Sequence, residues 1–433
     1  MKHMILALSA ALFLVCMLPI VVQASPNDSS NGIEQTEPFT EGADTRAPEG
    51  NVEDNQGSSP SDEGIQDGGT LSEELVKKSI KQVNLDELKQ FWDQILDEYG
   101  GFLPEGQKGS LMDYLSGEKT FSLKGWAIGF LKYIFHELLA NGKLLGTLIL
   151  LTVFSMFLQS LQNAFEKSSV SKVAYSIVFM VLIIIALNSF HVAIQYTKET
   201  IDTMISFFMA LAPLLLALIA ASGGLVSAAF FHPVLIFLMN TSGLLIGKVV
   251  LPLLFLASLL SIVSTLSEHY KVSQLAGMIK NWSIGLLGAF MTVFLGVISV
   301  QGASSAVADG ITIRTAKFIT GNFIPVVGRM FTDAADTVFS ASVLLKNTVG
   351  IAGVVILLMI VAFPALKILI IAFIYKLSAA ILQPLGGGTV IKCLDVISKS
   401  MMYIFAALAI VSVMFFLSIT IIIAAGNVTL MVR

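Results

Sequence analysis

Residues 203–267 read TMISFFMALAPLLLALIAASGGLVSAAFFHPVLIFLMNTSGLLIGKVVLPLLFLASLLSIVSTLS, sixty-five residues in which Lys248 is the only charge. A bilayer-spanning helix needs about 20 largely apolar residues, so this stretch is long enough for three crossings. Gly223-Gly224 and the run Asn240-Thr241-Ser242-Gly243 divide it into pieces of roughly 20, 16 and 23 residues. The middle piece is short for a full crossing and is expected to be tilted or re-entrant. Outside this region, the charge-free stretches 144–165, 173–197, 281–308 and 400–432 each hold one span. Residues 347–375 hold another, with Lys367 inside it and Pro364 as a kink. The reading is eight spans, with seven as the alternative.

Composition agrees with that class. The chain is 55% hydrophobic and 13% charged, against about 25% charged residues in a soluble domain. The expected fold is all-α: a polytopic integral membrane protein of seven to eight transmembrane helices, with a small helical extracytoplasmic region at its N-terminus.

The first 24 residues form a signal peptide. Lys2 and the free amine supply positive charge, Ile5 to Val22 carries none, and Val22-Gln23-Ala24 presents small residues to the peptidase. N-terminal sequencing of the membrane-extracted protein should therefore begin at Ser25; a start at Met1 would mark a retained anchor instead. Cleavage removes Cys16 and leaves Cys393 alone, which excludes an intramolecular disulfide and a thiolate metal site.

Residues 25–70 hold eleven acids and one base, Arg46, with hardly an aliphatic side chain. Such a segment cannot bury enough apolar surface to offset its ordering entropy and is expected to be an acidic, disordered linker. Residues 71–121 form the extracytoplasmic helical segment. Thr70-x-x-Glu73 opens a helix with Leu71, Leu75, Val76, Ile80 and Val83 on one face. Asn84-x-x-Glu87 opens a second, with Leu85, Leu88, Phe91, Trp92, Ile95 and Leu96 inward and Gly100-Gly101 at its end. A short third helix is expected around Ser110–Leu115. Residues 122–433 form the membrane domain, entered by an interfacial helix from Leu123 to Leu138 that places Trp126 at the headgroups.

With residue 25 outside, the segments 162–172, 267–280 and 376–399 fall inside and carry seven bases, as the positive-inside rule asks. Residues 301–348 fall outside yet carry Arg314, Lys317, Arg329 and Lys346. That conflict implies either an odd span count upstream or a segment embedded in protein.

Catalytic signatures fail one by one. His136-Glu137-Leu138-Leu139-Ala140 has Ala140 where a second zinc ligand must stand. Gly302-Ala303-Ser304-Ser305 has no histidine downstream to act as a base. Gly386-Gly387-Gly388 lacks the ending of a phosphate loop. No enzyme activity, metal or cofactor is expected, and nothing identifies a nucleic acid or a small-molecule substrate.

Ionisable groups inside apolar runs cost about 2.5–3.5 kcal/mol each at a helix centre, which singles out His232, Lys248 and Lys367. Snorkelling or a short turn is the plainer account of the lysines, and neutral, hydrogen-bonded packing that of His232. Gly243-x-x-x-Gly247 permits close helix contact without naming a partner. The most unusual segment is 301–350, where Asp309, Arg314, Lys317, Asn322, Pro325, Gly328, Asp333, Asp336 and Lys346 lie among small and apolar residues. It is either an amphipathic connector on the bilayer or an embedded hairpin broken at Asn322–Pro325, lining a path or docking a partner.

Asp309-Gly310, Arg314-Thr-Ala-Lys317, Asn322-Phe-Ile-Pro325-Val-Val-Gly328, Asp336-Thr337 and Leu345-Lys346-Asn347 resemble the stage III sporulation protein AE family of endospore-forming bacteria. The resemblance covers nearly the whole mature chain. It implies an integral subunit of the transenvelope complex between mother cell and engulfed forespore, a secretion-like channel or feeding tube that supports late forespore gene expression. The implied location is the mother-cell membrane, and the implied partners are the other membrane and ring-forming proteins of that complex. The family has no established catalytic residues to carry over. Two functional classes stand beside each other: a scaffold or conduit subunit, and a stand-alone secondary transporter. Transporters usually carry an internal hydropathy repeat, and none is visible here.

Overall fold

The computed structural model describes residues 85–431, apart from 117–118, 120–121, 165–168, 267–271, 324–326 and 386–387. The expected signal peptide, acidic linker and helix from Leu71 lie outside the described residues, as does Asn84. Among the described residues there are helices and no strands.

The N-terminal module begins with α1 (Asp86–Tyr99), whose first turn holds Asp86 and Glu87 against the positive end of the helix dipole. Leu88, Trp92 and Ile95 recur at helical spacing and are buried. Short 3₁₀ turns follow at Gly100–Phe102 and Glu105–Gln107. The single-turn α2 (Leu111–Leu115) is held by a reciprocal cap. Ser110 Oγ accepts from the Asp113 N–H at 3.3 Å, and Asp113 accepts from the Ser110 N–H at 2.9 Å. Trp92 donates its indole N–H to the Gly109 carbonyl at 2.8 Å, and Tyr114 donates to the Gln107 carbonyl at 2.7 Å. Their rings meet edge to face 5.3 Å apart, so the small module from Asp86 to Leu115 has a core in which both polar tips are satisfied.

Helix α3 (Leu123–Ala140) turns a different face inward from the one its apolar pattern gives. Trp126, Tyr133 and Glu137 are buried, while Leu131, Phe135 and Leu139 are exposed. Trp126 is therefore packed against protein and not displayed at the headgroups. The module drives this choice: a Cβ at Gly129 would lie 3.1 Å from Leu103 Cδ2 and 3.3 Å from the Phe102 carbonyl oxygen, so the glycine lets the two chains touch.

The membrane domain contains α4 (Gly142–Ala164), α5 (Ser169–Ala221), α6 (Leu225–Leu245), α7 (Leu251–Leu266), α8 (Ser273–Phe323), α9 (Val327–Leu382) and α10 (Thr389–Met431). A π turn, Ile246–Val250, joins α6 to α7 without a break. Among the described residues six helical runs are long and apolar enough to cross a membrane. The eight apolar stretches of the sequence are all present, but two pairs of them share a continuous helix. The 53-residue α5 carries both 173–197 and 203–221. Its intervening polar turn stays helical, and there Thr197, Thr200 and Thr203 satisfy their hydroxyls on the carbonyls of Ala193, Tyr196 and Glu199 within the helix. Likewise Asn240–Gly243 does not stop α6. Ser242 Oγ bonds the Leu238 carbonyl at 2.6 Å, and the irregularity is absorbed five residues later in the π turn around Lys248.

Gly223-Gly224 does break the chain. Gly223 has φ of 95°, its N–H donates to the Ala220 carbonyl, and the Gly224 N–H donates to the Ile219 carbonyl at 2.8 Å. This crossed pair is the Schellman ending that a left-handed glycine permits.

Helices α5 and α9 run antiparallel over most of their length. Tyr375 donates to Ser189 Oγ at 2.8 Å toward one end, a Cβ at Gly353 would meet Leu211 at 2.6 Å midway, and Gly223 approaches Phe339 toward the other. Helix α10 packs antiparallel on α9, from the Lys376–Asp395–Lys399 ion cluster to the contact of Gly350 with Ile423. At about 1.5 Å per residue these helices are roughly 65–85 Å long, more than twice a hydrocarbon core of about 30 Å.

Candidate functional site

The ionisable groups singled out by the sequence divide into three kinds of place. Asp309, on α8, is fully buried. Its carboxylate accepts from the Val226 N–H at 2.8 Å and the Ser227 N–H at 3.1 Å. These are the second and third residues of α6, whose N-cap, Gly224, has no side chain to serve them. Gly224 also has to be small, since a Cβ there would meet Ile219 Cγ2 at 2.6 Å. The cap is thus supplied in trans by another helix, and the negative charge sits at the positive end of the α6 dipole.

Lys346, on α9, is also fully buried, and its amine donates to the Ile423 carbonyl of α10 at 3.0 Å. Asp309 and Lys346 each tie a backbone group of one helix to a side chain of another, 83 and 77 residues away in sequence.

Lys367 lies in a third setting, half-buried after Pro364 on α9. Its amine is 3.7 Å from Glu137 and 4.3 Å from the centroid of the Tyr196 ring, a cation–π contact. Around it the N-terminal module docks on the bundle. Tyr99 stacks on Phe363 at 4.0 Å, Tyr133 meets the same ring edge-on at 5.1 Å, and Phe91 of α1 meets Phe207 of α5 at 5.4 Å. Burial raises the phenols of Tyr99 and Tyr133 well above their ordinary pKa, so both act as neutral, apolar surfaces with a polar tip. Asn141 donates to Glu137 Oε1 at 2.9 Å and holds the carboxylate toward the lysine.

Glu137→Ala should lower the unfolding midpoint in detergent by the equivalent of about 1–2 kcal/mol. Glu137→Gln should cost less, because its amide oxygen can still accept from Asn141. Equal stability of all three proteins would show that the pair holds nothing.

The other residues are not brought together with these. His232 and Lys248 are exposed on α6 and the π turn, and Arg314 is exposed on α8. Lys317 and Asn322 lie in the last turns of α8, and Gly328 and Asp336 lie in α9. Pro325 is outside the described residues. The segment from 301 to 350 is thus helical as far as Phe323 and again from Val327.

Glu137, Tyr196 and Phe363 were not legible as site residues. Glu137 stood out in the sequence only through a failed zinc pattern, although Trp126, Phe130, Tyr133 and Glu137 already share one face at heptad spacing. Among the described residues, no group of three or more His, Cys, Asp or Glu could hold a metal ion.

Long apolar helices tied by buried charge-to-backbone bonds, with a small helical module docked at their waist, define a multi-pass α-helical membrane protein. The family model of stage III sporulation protein AE matches residues 107–426. Stage III sporulation protein AE of Bacillus subtilis (strain 168) is 67% identical over 371 residues, covering 86% of this chain and 93% of that relative. The chain belongs to the stage III sporulation protein AE family. No solved structure matches it.

Proposed function

We propose that the chain is an integral subunit of the secretion-like channel complex joining mother cell and forespore, required for late forespore gene expression and spore formation. It sits in the mother-cell membrane with its N-terminal region outside the cytoplasm, and residues 25–70 form an acidic tether toward the complex. It works as a scaffold or conduit component that meets the ring-forming and membrane proteins of the complex, without catalysis or a cofactor. Family membership supports the setting.

The observation that carries the mechanical part is the use of the buried charges. Asp309 and Lys346 are engaged with backbone groups of neighbouring helices, and Lys367 with Glu137 and Tyr196. Groups so used brace a rigid bundle. A stand-alone secondary transporter, the alternative reading, needs intramembrane groups that bind and release a solute or ion in turn. Affinity purification of the tagged chain from cross-linked sporulating cells tests the choice. Recovery with ring-forming and membrane proteins of the sporulation complex is the expected result. Recovery alone, with solute uptake by proteoliposomes holding only this chain, would overturn it.

A further inference from the structure

The outward face of α5 changes character twice. Up to Ile184 its exposed side chains are Val173, Ile177, Met180, Val181 and Ile184, with Ser176 the one polar member. From Asn188 to Ser206 every exposed side chain is polar, among them His191, Gln195, Lys198, Glu199 and Asp202. Apolar exposure resumes at Met209. The polar stretch is thus a break of about 27 Å between two apolar stretches of one continuous helix.

Neighbouring helices place charge at the start of that break. Only residues 165–168 separate α4 from α5, so the two helices run antiparallel. Equal steps back from this connection bring Lys143 level with Phe190. The contact of Lys367 with both Glu137 and Tyr196 gives the same pairing. Lys143 is exposed, and from there toward the connection α4 turns Leu150, Val153, Phe154 and Phe157 outward. On α9, Tyr375 is bonded to Ser189 and fixes the level of Lys376, which meets Asp395 of α10 and is itself 58% exposed.

We propose that the break stands in water. Lipid covers the α4–α5 hairpin as far as Lys143 and His191, and the outward face of α5 from there to Ser206 borders an aqueous space. The dimensions fit. Nineteen steps separate Lys172 from His191, and Lys143 from Gln162, about 28 Å of helix against a hydrocarbon core of about 30 Å. Exposed ionised side chains on three helices at the upper limit belong with headgroups and water, not with acyl chains.

The docked module gives an independent reason. Its α1 lies beside the same stretch, with Phe91 on Phe207 and Tyr99 on Phe363, and it exposes Asp86, Glu87, Asp93, Asp97 and Glu98. A helix so charged requires water next to it. The run Val173–Ala221, apolar enough overall to count as one candidate span, therefore meets lipid on its outward side only below His191 and water from there to Ser206. The inference concerns lipid and water alone and does not depend on what the assembly carries.

The test uses the full-length chain without Cys16 and Cys393, carrying one new cysteine at a time, in membranes opened so that a charged maleimide reaches both surfaces. Gln195→Cys and Asp202→Cys should react about tenfold or more faster than Phe154→Cys, Ile177→Cys and Ile184→Cys, because the reacting thiolate forms in water and not in hydrocarbon. All five should react alike after denaturation. In vesicles containing brominated phosphatidylcholine, a bimane on Phe154→Cys or Ile177→Cys should be quenched, and one on Gln195→Cys should not. Protection of Gln195→Cys or Asp202→Cys to the level of Ile184→Cys would overturn the proposal. So would rapid labelling of the hairpin positions, or their failure to be quenched by the brominated lipid.

Discussion

Asp309→Ala should destabilise the membrane domain by about 3 kcal/mol, roughly a hundredfold in the unfolding equilibrium. An exposed N-cap costs about 1 kcal/mol when removed, because water replaces it. Here the Val226 and Ser227 N–H groups face a fully buried carboxylate, and alanine would leave both without an acceptor in a place where unmade hydrogen bonds carry their full desolvation penalty. The loss should concentrate at the Gly223-Gly224 turn, since α8 then no longer holds the start of α6. Asp309→Asn should fall between alanine and the native protein: its amide oxygen can accept one N–H, but the amide nitrogen cannot accept the other. Thr312→Ala, on an exposed position of the same helix, is the control. Denaturant or thermal unfolding of the purified proteins in detergent measures the series. A stability of Asp309→Ala within about 0.5 kcal/mol of native, the range of ordinary surface substitutions, would show that the trans cap is not holding the turn.

Lys346→Glu should be at least as severe, at about 3–5 kcal/mol, and should stop the protein from accumulating in the membrane. The substitution points a carboxylate at the Ile423 carbonyl, where the native amine donates at 3.0 Å. A buried charge then faces a dipole of the wrong sign. Lys346→Met separates charge from packing. Methionine keeps the length and apolar stem of the side chain, and removing a buried polar group in favour of an apolar one of similar volume is often nearly neutral. A loss of about 1 kcal/mol, the net worth of the hydrogen bond, is expected there. If Lys346→Met is as damaging as Lys346→Glu, the positive charge itself has a role beyond tying α9 to α10. Accumulation is read by immunoblot of membrane fractions, and stability by unfolding in detergent.

The Lys367 cluster illustrates what sequence reading can and cannot reach. Lys367 was conspicuous because a charge in an apolar run is costly wherever it lies. Its partners, Glu137 and Tyr196, come from α3 and α5, and no local pattern connects three such positions. Trp126 shows the opposite failure: an amphipathic helix near a membrane ordinarily sends tryptophan to the interface, and here a docked module covers that face first. The break expected at Asn240–Gly243 failed for a local reason, because Ser242 has a carbonyl within its own helix to bond, and a π turn can absorb the irregularity. Gly223-Gly224 succeeded because a left-handed residue leaves a helix no way to continue.

The sequence by itself determined the solvent and the secondary structure. Apolar runs of spanning length force every backbone group into internal hydrogen bonds, and only helices satisfy that along a single segment. It also singled out His232, Lys248 and Lys367 as costly ionisable groups in apolar runs, and Asp309 and Lys346 as part of an unusual segment; His232 and Lys248 proved to be exposed. Tertiary structure alone decided which backbone groups the buried charges serve and where the N-terminal module docks. Both are settled by contacts between residues tens of positions apart, such as Asp309 with Val226, Lys346 with Ile423 and Tyr99 with Phe363. A helix records in its own sequence which face is apolar, but a carboxylate or an amine records only that it must be satisfied, and the partner that satisfies it is fixed when helices distant in sequence pack together.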